Sequence, residues 1–126
     1  MQLATLAGAL MVLATPALAG GPQTAIDETT KAQVLETIEA YVKGDAQVKE
    51  AFLILDRRNG EPLRLAFDHM HAGVEPHEEG YAACVDFKDA SGTVYDVDIV
   101  IERGSDPLRV VKAFLHKVDG KEVASK

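Results

Sequence analysis

Apolar residues recur at helical spacing in one segment near the start of the chain. Residues 27–44 read DETTKAQVLETIEAYVKG, and their apolar members fall at positions i, i+1, i+4, i+7 and i+8: Val34, Leu35, Ile38, Tyr41 and Val42. This spacing places them on one stripe of an α-helix. Asp27 stands where an N-cap residue is preferred, and Gly44 stands where helices commonly stop. We therefore predict an amphipathic helix over residues 27–44.

After Gly44 the pattern changes to the two-residue period of strands. The stretch AFLILDRRNGEPLRLAF (51–67) has two apolar runs separated by Asn59-Gly60, which is a strong signal for a two-residue hairpin turn. The pairs that follow from this turn are Arg58 with Glu61, Ile54 with Leu65, and Phe52 with Phe67. The predicted core face then consists of Phe52, Ile54, Leu63, Leu65 and Phe67.

A second hairpin is predicted over residues 81–102, and two registers compete for it. A two-residue Ser91-Gly92 turn places Phe87 opposite Asp96. A three-residue loop, Ala90-Ser91-Gly92, gives the pairs Phe87 with Tyr95, Val85 with Val97, and Ala83 with Ile99. We favour the three-residue loop because it pairs apolar residues with apolar residues, whereas a one-residue slip turns every side chain to the other face.

The remaining elements complete a small α+β domain. Asp106-Pro107 marks a turn, and LRVVKAFLHKV (108–118) is predicted as the last strand. The expected fold is one N-terminal amphipathic helix packed on a five-stranded antiparallel sheet. Its α-β-β-β-β-β order resembles the cystatin-like superfold. The resemblance is one of element order, and the Q-x-V-x-G inhibitor pattern of cystatins is absent, so it implies no protease inhibition.

The N-terminal segment is typical of an exported protein. Residues 1–19, MQLATLAGALMVLATPALA, carry no charged side chain and end in a small-x-small pattern. We expect a signal peptide over 1–19, cut after Ala19, a flexible mature N-terminus over 20–26, one domain over 27–118 and a polar tail over 119–126. A membrane anchor is disfavoured, because Gly8 and Pro16 interrupt the run and a span needs about 20 apolar residues. We predict a periplasmic or secreted bacterial protein without a membrane partner after cleavage.

Charge and cysteine content exclude several classes of partner and site. The formal net charge of −7 argues against nucleic acid and anionic lipid, which both reward clustered Lys and Arg. Cys84 is the single cysteine, so the chain forms no internal disulfide. A lone thiol of this kind is expected to be buried.

Three of the four histidines fall in residues 68–80, DHMHAGVEPHEEG. If the alternation from Leu63 continues, His69 and His71 extend the core-facing stripe, and Glu50 lies opposite His69. Two histidines at i, i+2 on a strand point the same way and can offer two nitrogen ligands to one ion. The candidate ligands are His69, His71, Glu50 and, from the loop that follows, Glu75, His77, Glu78 or Glu79, with His77 favoured.

Imidazole with carboxylate suits Zn²⁺, Cu²⁺ or Ni²⁺ better than Ca²⁺, so the expected cofactor is Zn or Cu. The alternative interpretation is that His69 and His71 cap the sheet edge beside Glu50 or Asp68 while PHEEG is a solvated loop.

The opposite sheet face is predicted to be acidic. The favoured register sets Asp86 opposite Asp96 and Cys84 opposite Asp98. Because opposed carboxylates repel, counter-charges are expected from Lys88, Lys112 and His116. The candidate interaction surface, for a cation or for a basic partner, consists of Asp86, Asp96, Asp98, Lys112 and His116.

These patterns favour binding over catalysis. The alternation puts Cys84 and the histidines of 69–77 on opposite faces, and the chain has no G-x-S-x-G elbow. We predict a small exported non-catalytic domain that captures a transition-metal ion through the H-x-H pair. The alternative is a regulatory or interaction domain that docks another exported protein without metal. An enzyme acting on small polar substrates would need a cavity lined by His69, His71 and Tyr81.

Overall fold

A computed structural model describes residues 25–123 of the chain. It contains helix α1 (Glu28–Lys49) and strands β1 (Phe52–Leu55), β2 (Pro62–His77), β3 (Gly80–Lys88), β4 (Val94–Glu102), β5 (Val110–Val118) and β6 (Lys121–Glu122). The strands form one antiparallel sheet in chain order. The α+β class is therefore confirmed, but this part of the chain holds six strands, so the predicted number of five is wrong. The expected signal peptide lies outside the described residues.

Helix α1 begins as predicted and runs further than predicted. The carboxylate of Asp27 accepts hydrogen bonds from the backbone N–H and the hydroxyl of Thr30, both at 2.8 Å. The predicted stop at Gly44 is wrong, because the helix continues to Lys49. An ion pair of 2.6 Å between Lys49 and Asp45 stabilises the added turn. None of the helical segments between residues 25 and 123 has the length and apolarity needed to cross a membrane.

The β1–β2 hairpin forms, but its register differs from the prediction by two residues. Phe52 pairs with Leu65, because the loop closes between Asp56 and Glu61 rather than at a two-residue turn. The buried carboxylate of Asp56 holds this wider loop by accepting hydrogen bonds of 2.7–3.2 Å from the backbone and guanidinium of Arg58. Because side chains alternate between the two sheet faces, a shift of two residues leaves each side chain on the same face. The apolar residues of β1 and of early β2 therefore stay on the core face.

The hydrophobic core lies between α1 and one face of the sheet. Its fully buried members include Val34, Ile38, Phe52, Leu65, Val85, Phe87, Val97, Ile99, Ile101 and Leu115. Phe52 and Phe87 stack with their ring centroids 4.5 Å apart. Phe67, predicted for the core, is instead 47% exposed, because it lies beside an open groove at the C-terminal end of α1.

Strand β2 departs from regular pairing with β3 at two places. Phe67 pairs with Phe87 but His69 pairs with Asp86, so Asp68 is one extra residue in β2. A second irregularity follows between Met70 and Val74. One extra residue turns the following side chains to the other face. Met70 therefore packs against the core in the place that the alternation had predicted for His69.

The β3–β4 hairpin has the predicted three-residue loop. The N–H of Asp89 donates to the carbonyl of Thr93 at 3.2 Å, and Gly92 adopts the required positive φ of 84°. The predicted pairs Phe87 with Tyr95, Val85 with Val97, and Ala83 with Ile99 are all present. This register also sets Asp86 opposite Asp96 and Cys84 opposite Asp98, as predicted.

Strand β5 carries a bulge that β6 supports. Asp96 pairs with Lys117 and Val97 with Leu115, so His116 is an extra residue on β5. The N–H of Val123 donates to the carbonyl of His116 at 2.8 Å and fastens this bulge. Strand β6 thus lies within residues 119–126, where a polar tail without a strand had been predicted.

Gly44 provides a test of the extended helix. It lies inside α1, and a Cβ atom built on it would meet nothing within 4 Å. Gly44→Ala is expected to raise the free energy of unfolding by about 0.5–1 kcal/mol, because alanine loses less backbone entropy on folding. Urea unfolding followed by circular dichroism measures this change. The reciprocal control, Ala40→Gly at an exposed position of the same helix, should lower stability by a similar amount. A loss of stability in Gly44→Ala would contradict a helix running through this position.

Candidate metal centre

The sheet face opposite α1, called the outer face below, carries a row of ionisable side chains. Alternation with the core residues of β3 and β4 points Cys84, Asp86, Asp96 and Asp98 to this face. The neighbouring strands add His69 and His71 from β2 and His116 from β5. The side chains of the three aspartates are only 13–18% exposed. The three carboxylates of the outer face are therefore largely covered by neighbouring side chains.

Asp68 explains how the two histidines of β2 reach the outer face. The alternation predicted His69 and His71 on the core face and Cys84 on the other face. That placement is wrong, because the extra residue Asp68 reverses the parity of β2 and brings both rings to the side of Asp86. Bulges that re-aim side chains in this way are over-represented beside functional sites.

His69, His71 and Asp86 converge and are called the H-x-H site below. The Nε2 atom of His69 lies 3.4 Å from one carboxylate oxygen of Asp86, and that of His71 lies 3.2 Å from the other. The two imidazoles stack in parallel, with centroids 5.1 Å apart and an interplanar angle of 8°. Ligand atoms around a tetrahedral zinc ion are roughly 3.3–3.6 Å apart, given zinc–nitrogen and zinc–oxygen bonds of about 2.0–2.2 Å. The observed spacing is close to this value.

Asp68 orients the ring of His69. Its carboxylate oxygen lies 3.0 Å from Nδ1 of His69, and its other oxygen lies 3.2 Å from the ammonium of Lys88. These contacts, first with His69 and then with Lys88, lower the pKa of Asp68, so the carboxylate stays ionised and only accepts. Nδ1 of His69 therefore donates, and Nε2 is left to face Asp86. Histidines that ligate metals are commonly held by a carboxylate in this way.

His71 is the second histidine of the H-x-H site, and one of its ring nitrogens has no hydrogen-bond partner within residues 25–123. Its Nε2 atom is buried and has no hydrogen-bond partner among residues 25–123, although Asp86 is near, because the approach is off the direction of a ring N–H. A buried polar atom without a partner is costly and calls for an explanation. A cation placed between His71 and Asp86 supplies one.

The other ligands predicted from the sequence lie elsewhere. Glu50 caps the C-terminus of α1 with a left-handed backbone and lines the groove near Phe67. Glu75 pairs with Ala82 further along β2. His77 lies at the end of β2, where its Nδ1 accepts a hydrogen bond of 3.2 Å from the N–H of Glu79. Glu50, Glu75 and His77 are thus not part of the cluster that the structure forms around His69 and His71.

The second group on the outer face, called the thiol site below, consists of Cys84, Asp96, Asp98 and His116. The thiol of Cys84 donates to Oδ1 of Asp98 at 2.8 Å. The Nδ1 atom of His116 lies 3.3 Å from the same oxygen and 3.9 Å from Oδ1 of Asp96. Burial first, and then the carboxylate of Asp98, raise the pKa of Cys84, so the sulfur is a thiol in the absence of a cation.

The expected lysine counter-charges are used elsewhere. Lys88 pairs with Asp68 at 3.2 Å, and Lys112 pairs with Glu79 at 3.3 Å. Within residues 25–123, the basic groups within 4.0 Å of Asp86, Asp96 and Asp98 are imidazoles alone. Of the predicted interaction surface, His116 and the three aspartates are therefore neighbours, whereas Lys112 makes its ion pair with Glu79.

Asp96 lies where the two groups adjoin. Burial raises the pKa of Asp96, and the negative charges of Asp98 and Asp86 raise it further, while His116 and His71 act in the opposite direction. Its Oδ1 atom is buried without a hydrogen-bond partner within the described chain. A carboxylate held in this environment destabilises the folded protein when no cation is bound.

Comparison with known proteins adds no family to this description. Neither a protein-family model, nor a curated protein, nor a solved structure matches this chain significantly.

Asp96→Asn tests the strain at this position. A raised folded-state pKa means that stability falls as the pH rises from the ordinary aspartate value through the folded value, and the loss persists at neutral pH. Asn cannot ionise, so with chelator present the variant is expected to be about 0.5–1 kcal/mol more stable at neutral pH. Below the ordinary aspartate pKa, the two proteins should have equal stability in urea unfolding.

Asp89→Asn is the control for which the opposite change in stability is expected. Hydrogen bonds from Ser91 and Tyr95 help to lower the pKa of Asp89, so this variant should lose stability at neutral pH. A destabilised Asp96→Asn would show that Asp96 is satisfied in the metal-free protein.

Proposed function

We propose that this protein is an exported, non-catalytic domain that captures a transition-metal ion, Zn²⁺ or Cu²⁺, through His69, His71 and Asp86. The observation that supports it most directly is the approach of two imidazole Nε2 atoms to one carboxylate at 3.4 and 3.2 Å. Two neutral nitrogens and a carboxylate form a common ligand set for these ions. Three protein ligands leave one coordination position for water or a further ligand.

The charge balance of the outer face also favours a cation. Three aspartates, each less than one-fifth exposed, have imidazoles and a thiol as close neighbours, and no lysine or arginine of residues 25–123 lies within 4.0 Å of them. Desolvated carboxylates need a positive partner. A divalent ion would supply that charge.

The recessed position of these aspartates favours an ion over a macromolecule. A protein that docked on the outer face would have to reach carboxylates that are 82–87% covered by their neighbours. Metal capture is therefore our proposal, in preference to docking of another exported protein.

Two further parts of the proposal rest on the sequence. Export to the periplasm or the exterior is supported by the apolar, uncharged residues 1–19 with their small-x-small end. A cystatin-like arrangement is supported by one helix that precedes an antiparallel meander.

Replacing the two histidines is the direct test. The double variant His69→Ala with His71→Ala is expected to weaken Zn²⁺ binding at the H-x-H site by roughly 100-fold or more, because it removes both nitrogen ligands of that site. Isothermal titration calorimetry of the chelator-treated protein measures the affinity. The matched control is His77→Ala, which removes an imidazole from the same strand and should leave the affinity unchanged. Equal affinity in the double variant and the parent would refute the H-x-H site.

Asp68 tests whether the site is oriented as described. Asp68→Ala removes the carboxylate that holds Nδ1 of His69 and should weaken Zn²⁺ binding by about 10–100-fold without removing a ligand. Asp68→Asn can still accept the hydrogen bond and should lose less. The control Glu75→Ala removes an exposed acid from the same strand and should bind as the parent does. If Asp68→Ala and Glu75→Ala bind equally well, Asp68 has no orienting role.

A further inference from the structure

A second cluster on the outer face has the chemistry of a separate metal site. The four members of the thiol site come from three strands, with Cys84 on β3, Asp96 and Asp98 on β4, and His116 on β5. Cys84 and Asp98 are directly paired across the sheet, and Asp96 lies two residues from Asp98 on the same face. His116 alternates with the buried Leu115 and therefore lies on the same face. The strands therefore deliver four different ligand atoms to one place.

The distances within this cluster bracket those around a zinc ion. Sγ of Cys84 lies 2.8 Å from Oδ1 of Asp98, and the same oxygen lies 3.3 Å from Nδ1 of His116. Nδ1 of His116 lies 3.9 Å from Oδ1 of Asp96. Tetrahedral zinc with one sulfur ligand separates its ligand atoms by roughly 3.3–3.7 Å. Small side-chain adjustments would equalise the three distances.

Two buried atoms of this cluster have no partner. Nδ1 of His116 and Oδ1 of Asp96 are both buried and make no hydrogen bond within residues 25–123. Each has another carboxylate or imidazole close by in an orientation that does not form one. A carboxylate oxygen and a ring nitrogen that lie close together without hydrogen-bond partners are suitable ligand atoms for a cation.

We propose that Cys84, Asp96, Asp98 and His116 bind a second ion, zinc, next to the H-x-H site. Zinc fits because the set combines one sulfur, one nitrogen and two oxygens and completes four-coordination from the protein. Zinc is also redox-inactive, so it does not oxidise the thiol as Cu²⁺ can. On binding, a zinc–sulfur bond forms as the S–H bond of Cys84 breaks, and the proton passes to solvent with no change in oxidation state.

This inference extends the proposed function but can fail separately from it. The two ligand sets have no residue in common, although Asp96 lies between them and feels the charges of Asp86 and His71. The chain should therefore bind two equivalents of zinc. Only the second equivalent should involve sulfur.

Cobalt substitution under anaerobic conditions separates the two sites. Co²⁺ follows zinc into such sites and gives a strong near-ultraviolet charge-transfer band only when a thiolate is bound. The parent protein is expected to bind two equivalents of Co²⁺ and to show this band. Cys84→Ser should lose the band. It should also lower the affinity for one equivalent of Co²⁺ by about tenfold or more and leave the affinity for the other equivalent unchanged. His116→Ala should weaken the same equivalent, and the control His77→Ala should leave both.

The double variant of His69 and His71 distinguishes the two proposals. Retention of the charge-transfer band with loss of one equivalent is expected if both sites exist. In the parent protein, two bound equivalents without a charge-transfer band would overturn the thiol site and leave the H-x-H site standing. A single equivalent whose binding is unaffected by Cys84→Ser would do the same. A band with one equivalent, unaffected by loss of both histidines, would instead remove the H-x-H site. Circular dichroism of each variant confirms that the fold is intact.

Discussion

Side chains of a strand alternate between two faces, and a single extra residue exchanges those faces for everything that follows. In this protein Asp68 is that residue on β2, and His116 has the same position on β5. Without the first, two imidazoles would point into an apolar core. The second has its effect beyond His116, whose ring reaches the outer face by alternation with the buried Leu115; it turns Val118 back to the core. The placement of His69 and His71 on the outer face therefore depends on irregular strand pairing, while β3 and β4 pair regularly.

Regular pairing is what the sequence predicted well. The β3–β4 hairpin was correct in loop length and in every pair named, because apolar residues on both strands sort in only one register. The helix was correct in its start and its buried stripe, since Asp27 and the spacing of Val34, Ile38 and Val42 are local signals. Its end was missed because Gly44 is tolerated inside a helix whose last turn has other support. Strand β6 was missed because its two exposed polar residues carry no strand pattern.

The candidate site was only half predictable. The H-x-H pair and the facing aspartates were both noted in the sequence, but alternation assigned them to opposite faces. The cue that was overlooked is Met70, the apolar residue between the two histidines. If Met70 faces the core and both imidazoles face away from it, the alternation of β2 must change just before His69. The extra residue Asp68 makes this change. Glu50 and His77 could not be excluded from the sequence, because residue spacing shows neither that α1 continues to Lys49 nor that β2 continues to His77.

The two faces of the sheet carry separate tasks. One face and α1 contain the apolar packing that keeps the domain folded, and the other face gathers the candidate metal ligands without help from the helix. Substitutions among those ligands leave the packed layer untouched. If the outer face binds metal as proposed, the same scaffold can exchange one coordinating residue for another, and so change its preferred ion, while its folded architecture persists.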